Sequence, residues 1–123
     1  MTASKTINKL TEKLRDYAHE RDWEQFHSPK NLAMALSVEA SELVEIFQWL
    51  SEAESLSLTA EQRVQTEHEM ADIFLYLLRM ADRTNIDLID AAQKKILLNE
   101  RRYPADKVRG SSKKYTFYQE DKE

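Results

Sequence analysis

Apolar residues recur at three- and four-residue intervals along most of the chain, the period of helices buried along one side. In the first stretch the pattern is Ile7, Leu10, Leu14 and Tyr17, with Ser4 as the expected cap and an end near residue 20. Residues 21–29 break the period and end in Pro29, so they are expected to form an ordered loop. Periodicity resumes over about 31–49, stops in a polar connection at 51–59, and returns behind Thr59, with Gln62 three residues on as a capping-box partner. That third helix is expected to end at 82 or 84. A fourth should begin at Asp87 and stop near Arg102, because Pro104 disfavours helix at Tyr103. The pattern predicts an all-α fold: an antiparallel bundle of about four main helices in one domain, 1–123, with flexible tails at 1–3 and about 116–123.

Two stretches depart from an ordinary apolar stripe. In 38–45 the carboxylates Glu39 and Glu42 are three residues apart, and Glu69 and Asp72 repeat that spacing on the third helix. A three-residue step turns a helix through about 300°, so each pair shares a face. Leu32, Leu36, Leu43, Ile46 and Leu50 project within about 60° of Glu39, and Ile73, Tyr76 and Met80 within about 40° of Glu69. The acids thus lie within apolar faces, where an unpaired carboxylate is costly and calls for positive charge. Antiparallel pairing of the two helices would make the carboxylates face one another. The third helix also carries Met70, Phe74, Leu77, Leu78 and Ala81 on a separate flank, more apolar surface than so small a domain covers by itself; a homo-oligomer is expected.

Composition narrows the chemistry. The chain has 123 residues, enough for one domain, and a single Gly and two Pro suit long helices. With 18 Lys and Arg against 22 Asp and Glu, the net charge of -4 argues against nonspecific nucleic-acid binding. The absence of cysteine removes disulfides, thiolate zinc sites and cysteine nucleophiles. Nothing in the sequence is apolar enough for a transmembrane or secretory segment, so a soluble, cytoplasmic protein without membrane contact is expected.

Three readings of the acids stand at this point. Hard oxygen donors without Cys or paired His suit Mg²⁺ or Mn²⁺, and magnesium commonly completes its shell with substrate phosphates. A di-iron bundle would place His where Glu42 and Asp72 stand, and His68 projects about 100° from Glu69. A buried ion network would pair Glu39, Glu42 and Asp72 with Lys95 or Arg102. Lys95, Asn99 and Arg102 interrupt the face that begins at Leu88 and Ala92, suiting either phosphate contact or snorkelling from a part-exposed helix. Trp23 and Phe26 are read either as loop anchors or as walls of a pocket for a flat ligand, and spacing alone favours anchors.

The wording around the acids is more specific than the E-x-x-E and E-x-x-D skeleton. Arg21-Asp22-Trp23-Glu24-Gln25-Phe26-His27, Glu45-Ile46-Phe47-Gln48-Trp49, Arg102-Tyr103-Pro104 and Ser112-Lys113-Lys114-Tyr115 occur in that order. In these features the chain resembles the MazG-like superfamily of all-α nucleotide pyrophosphohydrolases, most closely the dCTP pyrophosphatase type. The resemblance implies hydrolysis of a nucleoside triphosphate between the α and β phosphates, yielding a monophosphate and pyrophosphate, in cleaning of the nucleotide pool. It implies Glu39, Glu42, Glu69 and Asp72 as magnesium ligands, with Glu45 assisting at a second ion or a water. It implies Trp23, Glu24, Gln25, Phe26, His27 and Trp49 around the base, Tyr76 at sugar or phosphate, and Lys95, Asn99, Arg102, Lys114 and Tyr115 toward phosphate. It also implies a homotetramer with sites built across subunits. One departure is Leu14, where related enzymes can carry a ligand-contacting His nine residues before the Trp.

Overall fold

The longest helix, α4 (Ala60–Thr84), is the axis on which the acidic site is built. Its start is fixed by the anticipated reciprocal cap, in which Gln62 N–H donates to Thr59 Oγ1 at 3.1 Å and Thr59 N–H to Gln62 Oε1 at 2.9 Å. Its end is fixed by Asn85 in the left-handed region, φ 59°, a conformation Asn adopts more readily than most residues. Residues 2–114 and 116 are described in this computed structural model, and Met1, Tyr115 and 117–123 lie outside the described residues. Among the described residues there are six α-helices and no strand.

Helix α2 (Pro29–Phe47) packs most extensively on α4, and α1 (Ala3–Glu20) packs on α4 to a lesser extent. Arg79 and Arg83 reach His27 beside the start of α2, whereas Glu45 near its end lines a cavity with Gln65. Helices α2 and α4 therefore run antiparallel, which brings Glu39 opposite Glu69 and Asp72. Leu32 of α2, Leu78 of α4 and Ala18 of α1 are fully buried, each leucine contributing about 1.5–3 kcal/mol by its removal from water. Met34, Val38 and Val44 on α2, and Val64, Met70 and Phe74 on α4, remain exposed. The apolar flank of α4 is therefore split: Leu78 turns inward, Met70 and Phe74 outward.

Several boundaries differ from the sequence expectation for local reasons. Thr2, not Ser4, caps α1 by accepting from Lys5 N–H, so Thr2 and Ala3 belong to the helix start instead of a tail. Pro29 opens α2 instead of closing the loop, because its missing N–H is harmless in a first turn and Ser28 supplies the cap. The polar connection at 51–59 contains a short helix, α3 (Glu52–Ser55), closed by a Ser51–Glu54 capping box.

The chain divides into two compact units, Met1–Ile86 and Asp87–Glu123. The second holds α5 (Leu88–Arg102), capped by Asp87, and α6 (Ala105–Val108). Tyr103 leaves the helix just before Pro104, as the clash with a following proline ring requires. Among the described residues no helix is long and apolar enough to cross a membrane.

Candidate functional site

One face of α4 carries the site. Glu69, Asp72, Tyr76, Arg79 and Arg83 follow at three- and four-residue steps and so form a continuous stripe along the helix. At its acidic end, single carboxylate oxygens of Glu39, Glu69 and Asp72 all lie within 4.8 Å of one another. The Oε2 atoms of Glu39 and Glu69 are buried and accept no hydrogen bond from any described group. Such atoms are rare in folded proteins and call for an unseen partner. Glu39 is pushed up to about 7, first by close approach of the Glu69 carboxyl, which favours a shared proton, then by burial, then by Glu42 and the charge of Asp72. A set of hard, crowded, unneutralised oxygens fits a divalent cation with an oxygen shell. Glu42 and Glu45 line a second cavity of about 410 Å³ with Ile46, Gln65 and Glu69. His68 is exposed and is not a member of the close carboxylate group, in keeping with its projection away from Glu69.

Beside the acids lies a cavity of about 610 Å³ within the first unit, and Glu39, Asp72, Tyr76, Trp23 and His27 all line it. Two of the expected acids, Glu39 and Asp72, and two of the expected aromatic-loop residues thus meet in one place. Trp23 meets Tyr17 edge-on at 5.7 Å between ring centroids and His27 edge-on at 6.4 Å, which stiffens the wall. The short 3₁₀ turn Glu24–Phe26 presents this wall. Its turn is braced by Gln25 Nε2 donating to the carbonyl and carboxylate of Asp22, whose φ of 54° is unusual for a residue with a side chain. Tyr76 is held above the usual tyrosine range, first by burial and then by the charges of Glu39, Asp72 and Glu42, so its hydroxyl stays a proton donor.

Phe26 is 59% exposed and Trp49 86% exposed, and neither lines that cavity. Glu24 accepts from His19 Nδ1 at 3.2 Å when that nitrogen carries the proton. Lys95 and Asn99 are exposed on α5 of the second unit, where Arg102 is half-buried, and Lys114 is exposed. Tyr115 lies outside the described residues.

The sequence reading missed Leu10, Lys13, Tyr17, Leu75 and Arg79, all of which line the cavity. On α1 the signal was present, since Leu10, Lys13, Leu14 and Tyr17 share one face. Extending the α4 stripe by one turn beyond Tyr76 would have found Arg79. Leu14, the position of the noted departure, gives the cavity an apolar side chain.

The profile of the MazG-like family matches residues 34–116. The chain is 44% identical over 103 residues to dCTP pyrophosphatase 1 of Homo sapiens and 43% identical to that of Mus musculus. Each alignment covers 82% of this chain, and the chain spans 61% of the length of these curated relatives. A pyrophosphatase from Archaeoglobus fulgidus superposes with a TM-score of 0.77 at 39% identity, covering 80% of this chain and 93% of the other. The chain belongs to the MazG-like family.

Proposed function

We propose that this protein is a magnesium-dependent nucleoside triphosphate pyrophosphohydrolase that converts dCTP, and 5-modified dCTP, to the monophosphate and pyrophosphate. The observation that carries the reading is the set of three carboxylate oxygens within 4.8 Å, two of the acids having a buried unpartnered oxygen, at the edge of an aromatic-walled cavity. The dCTP pyrophosphatases to which the chain is similar supply the substrate class. Glu39, Glu69 and Asp72 would hold Mg²⁺, or Mn²⁺, with Glu42 and Glu45 toward the second cavity. The ion would supply the positive charge that phosphate oxygens need when an acidic cluster receives them. Trp23 offers a flat apolar surface to a pyrimidine, and Tyr76 a hydroxyl to sugar or phosphate. Lys95, Asn99 and Arg102 of α5 are assigned to the phosphates, and Trp49 to the base. The family profile spans both units, which supports treating 1–123 as one functional domain.

A homotetramer is part of the proposal, supported by the exposed Met34, Val38, Val64 and Met70 on the two central helices. A cytoplasmic setting suits a cysteine-free chain. Chromatography of the products from dCTP with Mg²⁺ tests the reaction: dCMP and pyrophosphate are expected, and dCDP with phosphate would contradict the bond assignment. A monomer in sedimentation at micromolar concentration would remove the tetramer.

Against the ion-network alternative, which would pair Glu39 with a cation, stands the buried Glu39 Oε2, which accepts from no described donor.

A further inference from the structure

At the basic end of the α4 stripe, the Arg79 guanidinium donates from Nε to Nδ1 of His27 at 3.1 Å. Arginine has five N–H donors and no acceptor, so the shared hydrogen is arginine's and His27 Nδ1 must be the unprotonated nitrogen. In a neutral imidazole the remaining proton is then on Nε2. The ring is kept neutral: burial, then the charges of Arg79 and Arg83, hold His27 below the ordinary histidine range. We propose that Arg79 is a positioning residue that locks His27 in its Nε2–H tautomer, so that the cavity presents an N–H donor to an acceptor edge of the bound base.

The lock is built and supported from behind. Arg79 is only 4% exposed, and its Nη1 donates to Asp82 Oδ2 at 3.1 Å. Asp82 in turn accepts two bonds from Arg15, at 2.7 and 3.2 Å, a bidentate pairing that fixes the carboxylate plane. Arg83 Nε donates to the His27 backbone carbonyl at 3.1 Å, tethering the residue from a second direction. Trp23 meets the imidazole edge-on, which limits rotation of the ring. With Nδ1 engaged by Arg79, the polar atom His27 retains for a ligand is Nε2–H, and no described protein group accepts from it. This donor suits an unprotonated ring nitrogen or a carbonyl oxygen. Cytosine presents both side by side, whereas uracil and thymine carry N–H between two carbonyls. Acceptor-edge recognition rests on the nucleotide reading above, while the tautomer itself does not.

Histidine-selective ¹⁵N labelling of the full chain reads the tautomer directly. With only three histidines, His27 is assigned by the signal lost in His27→Gln. The wild type should show His27 with a bare Nδ1 and a protonated Nε2, Arg79→Met should admit the Nδ1–H form, and Arg79→Lys, still a donor without an acceptor, should keep the wild-type state. A protonated Nδ1 in the wild type, or an unchanged tautomer in a folded Arg79→Met, overturns the lock; if Arg79→Met does not fold, the wild-type and Arg79→Lys spectra decide. With dCTP as substrate, Arg79→Met should raise KM about tenfold and change kcat much less, with partial recovery in Arg79→Lys. An unchanged KM alongside a changed tautomer overturns the donor-to-base assignment. If the wild type turns over no nucleotide, the proposed function fails while the spectra still judge the lock.

Discussion

Two places on α4 repeat the same three-residue spacing of charge, ten residues apart: Glu69 with Asp72, and Arg79 with Asp82. Around the first, Glu39 adds a third negative group and two buried oxygens have no donor. Around the second, opposite charges meet: Arg79 bonds Asp82, Asp82 bonds Arg15, and the Arg79 Nε–H finds a histidine nitrogen. Desolvated charge is tolerated when every member is paired and costly when it is not. One helix therefore carries both a satisfied network that fixes a neighbour and an unsatisfied one that needs a ligand. The two carboxylates have opposite pH signatures. Glu39 is raised above its unfolded value, so its contribution is full at acid pH and is lost as pH rises through about 7. Asp82 is lowered, chiefly by the Arg15 hydrogen bond, so its contribution is present above the unfolded carboxylate range and lost as pH falls through the folded value.

Substitutions at the two places should separate function from stability. Asp72→Ala is expected to lower turnover by about a thousandfold or more, since charge stabilisation at phosphate is worth several kcal/mol. It should leave the metal-free protein at least as stable as wild type, because it removes like-charge repulsion; a large fall in Tm would make Asp72 a structural acid. Asp82→Ala should have the reverse profile, destabilising by about 3 kcal/mol in urea unfolding because it strands the buried Arg79. Arg15→Ala should cost much less than Asp82→Ala, the guanidinium being half exposed and solvent-screened. Equal losses for the two would deny that Arg79 is the member that matters. Trp23→Ala should raise KM for dCTP about tenfold through lost stacking, with a smaller effect on Tm.

How much was legible in the sequence differs between these places for the same physical reason. Local chemistry announces itself: the Thr59–Gln62 box and the Asp87 cap lie where the residues predicted, because capping is decided within four residues. The meeting of Glu39, Glu69 and Asp72, though not of Glu42 with them, was legible since each pair is local and the antiparallel pairing of two helices is the simplest way to bury both faces. The Arg79 network was not, because Arg79 is 52 residues from His27 and Asp82 is 67 from Arg15, and only tertiary packing brings them together. Spacing favoured loop anchors over pocket walls for Trp23 and Phe26 alike, yet the turn points Trp23 into the cavity lining and leaves Phe26 mostly exposed. The exposed indole of Trp49 follows from the chain leaving α2 at Phe47, a boundary that periodicity placed about two residues later.

The central claim is that Glu39, Glu69 and Asp72 form a cation site kept open by their own repulsion. The most direct measurement is thermal unfolding of wild type and Glu39→Gln against Mg²⁺ concentration, at pH 6 and pH 8. The account predicts that wild-type Tm without metal is lower at pH 8 than expected from Glu39→Gln, and that Mg²⁺ raises it in proportion to the logarithm of concentration, more at pH 8 because the ion must displace the proton on Glu39. Glu39→Gln should show little of either effect. A wild-type Tm indifferent to Mg²⁺ at both pH values, or an identical response in the variant, would contradict it.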